Sequence, residues 1–160
     1  MKKLFLGSAL VLILLSLEAC SKEDTLKVNL FEEFQNRPTV TLSLTNGTII
    51  PGFEGNYCTD VVCMNSFEPD FSQLTYTSVP GEDTLFIKVE TTYEISSISG
   101  SFYKKDGSEF YRDLSFIETE PYIYIPDPPR EIEEIEVTLH VKVDFEDQGL
   151  THYYFPIKFE

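Results

Sequence analysis

The clearest pattern in the chain is an unbroken alternation of apolar and polar residues near its C-terminal end. Every second position from Ile135 to Phe145 is apolar, and every residue between them is polar. Because successive side chains of a β-strand point to opposite faces, this pattern predicts a strand with one face in the core and one in water. A turn at Asp147-Gln148-Gly149 then predicts a final hairpin strand, whose core-facing residues are Tyr153, Phe155, Ile157 and Phe159.

Shorter segments of the same period, separated by turn residues, run from Pro38 to the end of the sequence. The dipeptide Asn46-Gly47 predicts a tight turn after a strand that contains Val40, Leu42 and Leu44. Proline has no N–H to donate. Pro156 therefore predicts that the last strand lies at an edge, or at least that its backbone nitrogen points away from the neighbouring strand. The remaining segments predict an all-β sandwich or barrel, with further strands near residues 72–79, 85–89, 91–103 and 122–125.

A hairpin is also predicted around Lys105-Asp106-Gly107. A three-residue loop with Gly107 in the left-handed conformation places Phe102 opposite Phe110 and Ile98 opposite Leu114. This register gives one apolar face without a polar interruption, which a two-residue turn does not.

The same register places Tyr103 and Tyr111 on the outer face as diagonal neighbours. Tyrosine offers a rigid amphipathic surface at low entropic cost, so the two rings are a candidate stacking platform for a sugar or a partner protein. The alternative is that they only cover the sheet or pack beneath a loop.

The first residues have the layout of a secretory signal. Met1-Lys2-Lys3 is basic, and the apolar run from Leu4 to Leu17 spans only ~21 Å as a helix, short of a ~30 Å hydrocarbon core. Leu17-Glu18-Ala19-Cys20 resembles the lipobox of bacterial lipoproteins, although Glu18 departs from the usual small or apolar residue. The resemblance implies cleavage before Cys20 and a diacylglyceryl group on its thiol, whereas a plain secreted protein is the alternative.

These boundaries divide the chain into a signal peptide (1–19), a lipidated N-terminus and tether (20–37) and one β-sandwich domain (38–160). Residues 26–37 fit either a strand or a helical turn. We expect the protein on the extracytoplasmic side of a bacterial membrane, which is the cell membrane in a Gram-positive source and the outer membrane or cell surface in a Gram-negative one.

The net charge and aromatic content of the chain limit the classes of partner that it can bind. The chain of 160 residues has a formal net charge of −15, and its 13 Phe and 9 Tyr are too many for a disordered acidic tail. Such a surface repels phosphate backbones and anionic headgroups, so we expect no nucleic-acid partner and contact with the membrane through the lipid alone.

Without Cys20, two cysteines remain, Cys58 and Cys63. Thiols outside the cytoplasm can be oxidised, so we predict a disulfide between them. Closing so short a loop is worth ~2 kcal/mol in the chain-entropy model, so the bond shapes one loop and does not replace a core. A metal site at these cysteines lacks further ligands, because His140 and His152 are the only histidines.

Catalytic residues are scarce. A turn that paired Asp144 with His152 would bring two members of a triad together, but such pairs are usually surface contacts. Asp144, Glu146 and Asp147 are a weak calcium candidate because they offer oxygen ligands in one turn, although the spacing of an EF-hand is missing. We therefore predict no enzyme activity and no cofactor beyond the lipid on Cys20. A second acidic group, interpreted as the wet face of a strand, comprises Glu131, Glu133, Glu134 and Glu136.

Two segments carry a resemblance to small, poorly characterised Gram-positive lipoproteins with an immunoglobulin-like sandwich. They are Gly55-Asn56-Tyr57-Cys58 with Cys63 shortly after, and the final Tyr154 to Phe159. Cys20-Ser21-Lys22-Glu23-Asp24 is instead similar to the start of Bacteroidota-type surface lipoproteins. The resemblance implies an antiparallel, immunoglobulin-like β-sandwich, for which we expect about seven to nine strands. It carries no known activity. We expect a non-catalytic binding or accessory module of the cell envelope with a protein or glycan partner; the alternatives are a calcium-binding or a purely structural component.

Overall fold

The computed structural model describes residues 37–59, 63–64, 69–80, 83–120, 122–126, 136–146 and 149–160. The chain divides into two units at Arg37 and Pro38, and every described residue except Arg37 belongs to the second unit. The predicted signal peptide, Cys20 and residues 21–36 of the tether lie outside the described residues, as do Asp147 and three of the four glutamates of the second acidic group.

The described residues form an antiparallel β-sandwich, the predicted fold class, with twelve strands rather than seven to nine. Most of the additional strands are only two or three residues long, which a pattern of period two cannot reveal. The strands are β1 (Thr39–Leu44), β2 (Ile49–Ile50), β3 (Phe53–Cys58), β4 (Cys63–Met64), β5 (Thr77–Val79), β6 (Leu85–Glu90), β7 (Ile95–Lys104), β8 (Glu109–Tyr111), β9 (Phe116–Glu120), β10 (Ile123–Pro126), β11 (Glu136–Phe145) and β12 (Gly149–Phe159).

The strands belong to two sheets. The five-stranded sheet has the order β2-β1-β6-β10-β9, and the seven-stranded sheet has the order β4-β3-β12-β11-β7-β8. The seventh strand, β5, pairs in parallel with the C-terminal end of β12, while the other pairs are antiparallel. The long hairpin of β11 and β12 therefore forms the centre of the larger sheet.

The core lies between the two sheets. From the smaller sheet it receives the alternate residues of β1 and β6, and from the larger sheet those of β11 and β12, as the alternation predicted. Its largest fully buried side chains include Phe102, Phe155, Leu42, Ile87 and Leu139. Burial of this apolar surface is the main term that stabilises the sandwich.

Two predicted strands begin later than the pattern suggested. Residues 91–94 form a bend before β7, and Phe71–Gln73 forms a 3-10 turn before β5. Asp70 explains the second case, because its carboxylate accepts hydrogen bonds from the Ser72 N–H and hydroxyl and so favours a turn over an extended chain.

The β7–β8 hairpin has the predicted three-residue loop, with Gly107 in the left-handed conformation at φ 81°. A β-bulge then places Phe102 opposite Tyr111, so the predicted pairing of Phe102 with Phe110 is wrong. The bulge allows Phe110 to pack against the core cluster, a gain that the turn geometry alone does not show.

The pairing predicted farther along this hairpin is also wrong. The Leu114 N–H donates to the carbonyl oxygen of Gly100, so Leu114 lies beside Gly100 and not opposite Ile98. The register shift at the bulge accounts for the difference.

Pro156 occupies a central strand and not an edge. Its strand β12 pairs with β11 on one side, while on the other side the pairing with β3 ends at Tyr154 and that with β5 begins at Ile157. Proline lies where β12 changes neighbour, a position at which a missing N–H removes no ladder bond on that side.

The predicted disulfide joins Cys58 and Cys63, whose Cα atoms are 3.9 Å apart. The two cysteines face each other at the end of the β3–β4 pair, at the edge of the seven-stranded sheet.

Candidate functional site

The outer face of β11 is buried at Thr138 and half-buried at its other polar residues, although these residues predicted a face in water. Thr138 lies between Tyr103 on β7 and Pro156 on β12, and it is fully buried, with 0% of its surface exposed. Its Oγ1 has no hydrogen-bond partner among the described residues. The prediction that this position behaves as a surface residue is therefore wrong.

The segment that precedes β5 packs against this face. Phe71 stacks on Tyr103 with ring centroids 5.4 Å apart and meets the edge of Tyr154 at 6.2 Å. The Tyr76 hydroxyl donates to the carbonyl oxygen of Phe71, and Lys105 Nζ lies 5.4 Å from the Tyr76 ring centroid. We call residues 69–76 the covering turn.

Two histidines meet beside Tyr103 and Tyr154, the two rings that Phe71 contacts. The hairpin register pairs His140 with Tyr154 and His152 with Lys142, so the two histidines are diagonal neighbours across the β11–β12 hairpin. His140 Nε2 and His152 Nδ1 are 2.7 Å apart, and their rings are nearly parallel with centroids 5.0 Å apart. One ring nitrogen supplies the shared hydrogen and the other accepts it.

Aromatic rings extend the histidine pair on both sides. Tyr154 stacks on His140 at 4.8 Å and on Phe53 at 5.5 Å, and Tyr103 meets His140 edge-on at 5.9 Å. We call the resulting set the aromatic–histidine face, whose members are all half-buried: Phe53, Phe71, Tyr103, His140, His152 and Tyr154.

Gly55 on β3 allows this close packing. A Cβ atom at that position would lie 2.6 Å from Tyr154 Cε2 and 3.1 Å from His152 Cβ, so any side chain there displaces the tyrosine ring. The absence of a side chain at Gly55 is thus a requirement of the face.

The environment keeps the histidines neutral. The pKa of His140 is lowered to about 4, mainly by burial and also by the neighbouring His152, while the charge of Glu109 acts in the opposite direction. Burial also lowers the pKa of His152, and Lys142 adds to that effect. At neutral pH the pair therefore carries no charge.

A neutral pair offers both kinds of hydrogen bond. Once the inner nitrogens share one hydrogen, the two outer nitrogens, His140 Nδ1 and His152 Nε2, are left as one donor and one acceptor. Within the described part of the chain neither outer nitrogen has a hydrogen-bond partner, and neither belongs to the polar atoms sealed from solvent. The face can therefore donate to and accept from a ligand's polar groups.

The structure separates the two tyrosines of the predicted platform. Tyr103 contacts Phe71 and His140 within the aromatic–histidine face, whereas Tyr111 lies on the edge strand β8 with 38% of its surface exposed. Tyr103 thus belongs to the candidate site, but its ring neighbours are Phe71 and His140 and not the expected Tyr111.

Of the three calcium candidates, the structure describes Asp144 and Glu146. Asp144 accepts a hydrogen bond from Ser97 and forms an ion pair with Lys142 at 2.8 Å, and the register pairs it with Leu150 rather than His152. Glu146 is exposed, and Asp147 lies outside the described residues. No three metal-ligating side chains of the described ranges are grouped to hold an ion.

The sequence pattern missed the proximity of the two histidines because it depends on the hairpin register. Phe145 pairs with Gly149, whose φ of 91° is left-handed, and this pairing sets every later contact along the hairpin. The glycine was the available signal, since it is the residue expected at such a position.

Comparisons of the chain with protein-family models, with curated proteins and with solved structures gave no match. Among the residues described, no helix has the length and apolar character needed to cross a bilayer.

Proposed function

We propose that the protein is a lipid-anchored, extracytoplasmic and non-catalytic module that binds a glycan through the aromatic–histidine face. The observation that carries this proposal is the neutral pair of His140 and His152, held 2.7 Å apart in the middle of a half-buried layer of rings.

Sugars fit this combination of groups. A pyranose has an apolar face that stacks on aromatic rings, and hydroxyl groups that each donate and accept hydrogen bonds. Phe53 and Tyr103 supply rings, Tyr154 is already stacked between Phe53 and His140, and the outer nitrogens of the histidine pair supply one donor and one acceptor. The uncharged pair also avoids a preference for anionic ligands, which the strongly negative chain would repel.

A cover with only a structural role has no need of histidines. Half-burying an imidazole costs desolvation of its polar nitrogens, whereas aliphatic side chains cover a sheet without this cost. Polar groups retained at such a cost are expected where a site has a function.

Binding can be tested with the full chain purified in detergent and a panel of uncharged oligosaccharides, using titration calorimetry. We expect at least one oligosaccharide to bind the wild type and to bind His152→Phe at least about tenfold more weakly, because the variant keeps a ring but loses a hydrogen-bonding nitrogen. Tyr111→Phe, outside the face, is the matched control and should bind normally. Binding by none of the sugars, or equal binding by His152→Phe, would contradict the proposal.

The anchor is tested separately in a bacterium supplied with an alkyne-bearing fatty acid. The basic start, the short apolar run and Leu17-Glu18-Ala19-Cys20 support acylation of Cys20. We expect the wild type to incorporate the label and Cys20→Ser to remain unlabelled. Equal labelling of the two proteins would refute the lipid anchor and leave the glycan proposal to its own test.

A further inference from the structure

The edge of the five-stranded sheet has a different surface from the aromatic–histidine face. β9 is its last strand, and among the described residues it pairs only with β10. Four of its five residues are exposed, including Ile117 with 57% of its surface accessible. An edge strand of this kind leaves backbone N–H and C=O groups ready to pair with another chain.

Apolar side chains continue from this edge across the outer face of the sheet. Ile117 pairs with Ile125, and Ser43 pairs with Ile49 on one side and with Phe86 on the other. The register of β6 and β10 brings Phe86 and Ile125 together, since Ile87 pairs with Tyr124. Ile49 and Ile117 are exposed, while Phe86 and Ile125 are half-buried. Apolar surface left accessible across a sheet face is typical of interaction sites. We call Ile49, Phe86, Ile125 and Ile117 the apolar row.

The polar residues of the edge are acidic. Glu118 and Glu120 are exposed and form no ion pair within the described ranges, although Glu118 accepts a long hydrogen bond from the Tyr122 N–H at 3.4 Å. Glu118 pairs with Tyr124, whose pKa is raised by burial and also by the charge of Glu118. The edge therefore presents negative charge beside an exposed isoleucine.

The hairpin that carries this edge is fixed to the sheet. Tyr122 in its turn has a left-handed φ of 63°, and its carbonyl oxygen accepts a hydrogen bond from the Val89 N–H of β6 at 2.9 Å. Such a backbone position in a tyrosine is strained and persists only when its surroundings hold it. A partner strand would thus meet a preformed edge.

We propose that β9 is a docking edge for an extended cationic segment of another protein, which adds a strand to the five-stranded sheet. In the docked segment, the residue that faces Ile117 is apolar and lengthens the apolar row, and the next residue, which faces Glu118, is Lys or Arg. Glu120 lies beyond the register shift of this strand pair and adds negative charge to the same edge. The backbone ladder provides affinity and the alternating side chains provide specificity. This site is independent of the proposed glycan face.

A second copy of the chain is a poor occupant. Antiparallel pairing of two β9 strands would bring Glu118 and Glu120 of each copy together on neighbouring strands, and each chain carries a net charge of −15. Like charges on facing strands are destabilising. A cationic strand would instead be attracted by Glu118 and Glu120.

The probe is a nine-residue acetylated and amidated peptide of alternating lysine and valine, added to the full chain in detergent. Fluorescence anisotropy measures binding, and amide hydrogen exchange locates it. We expect binding with protection of the β9 amides, and no binding of a glutamate–valine peptide. A peptide of the same composition with its lysines contiguous should bind at least about fivefold more weakly, because it lacks the alternation of a strand.

Two pairs of variants locate the site. Glu118→Lys/Glu120→Lys should weaken binding about tenfold, whereas Glu94→Lys/Glu146→Lys, with the same change in net charge on exposed turn residues, should not. Ile117→Thr should weaken binding about threefold and Ile49→Thr, at the far end of the apolar row, should not.

Equal weakening by the two charge variants, protection of amides outside β9, or equal binding of the contiguous-lysine peptide would overturn the proposal. Self-association of the peptide-free chain that protects β9 would also overturn it, in favour of a second copy.

Discussion

The two faces of β11 are both covered, but by different kinds of side chain. Its inner face contributes Val137, Leu139, Val141 and Val143, each with 0% exposure, to the core. Its outer face presents Thr138 and His140 to a layer of aromatic rings that is only half-buried. The inner face is what stability alone requires, and the outer face retains polar groups at a cost in desolvation.

The largest expected effect lies on the inner face. Leu139→Ala removes a fully buried side chain from the core and should lower the free energy of unfolding by about 2–5 kcal/mol. Chemical denaturation of the full chain measures the change. A loss below about 1 kcal/mol would mean that the inner face is not the main source of stability.

Removing the cover should have a smaller effect. Phe71→Ala deletes ring contacts with Tyr103 and Tyr154 and should cost about 2 kcal/mol. The variant should also raise the pKa of His140 towards its ordinary value, because the imidazole gains solvent. NMR titration of the histidine tests this. Phe86→Ala, on the outer face of the other sheet, is the control, and an equal shift there would contradict the role of the covering turn.

The histidine pair should make stability depend on pH. The folded protein lowers the pKa of His140 to about 4 from an ordinary 6.5, so between these values the unfolded chain binds a proton that the folded chain does not. Stability should therefore rise by about 1–2 kcal/mol from pH 5 to pH 7. Glu109 does not account for this rise. Its pKa is lowered from 4.5, so its contribution to stability is lost only as the pH falls to about that value and below.

His140→Phe is the control for this dependence. It should remove most of the rise between pH 5 and pH 7, as followed by urea denaturation at each pH. An unchanged slope in the variant would assign the pH dependence to other groups.

The smallest expected effect is an increase in the free energy of unfolding. Thr138 on the outer face and Thr151 on the inner face are fully buried, and their hydroxyls have no hydrogen-bond partner among the described residues. Thr138→Val and Thr151→Val should each raise the free energy of unfolding by up to about 1 kcal/mol, because valine keeps the shape without an unsatisfied hydroxyl. Thermal unfolding checks both. A loss of stability in either variant would indicate that its hydroxyl has a partner.

The sequence predicted those parts of the fold that depend on neighbouring residues. The alternation in β11, the Asn46-Gly47 turn and the glycine loop at Gly107 are local, and the structure contains all three. The packing beside Thr138 was not predictable in this way, because Phe71, which stacks on the neighbouring Tyr103, is far away in the chain.

The positions of the residues in the candidate site depend on the strand registers of two hairpins, which the sequence pattern does not determine. A turn that pairs Asp144 with His152 is one possibility that the sequence allows, but the register pairs Asp144 with Leu150 and brings His140 beside His152. The bulge beside Phe102 likewise separated Tyr103 from Tyr111. A pattern of period two shows which face a residue is on, but not which residue lies opposite it.

The most direct test of the contrast between the two faces is the double variant His140→Phe/His152→Phe, examined for stability and for sugar binding at pH 7. If the histidines are kept for binding, the variant should unfold at an equal or higher denaturant concentration than the wild type while losing the oligosaccharide that the wild type binds. A clearly less stable variant that still binds the oligosaccharide would contradict this account and make the outer face a structural layer.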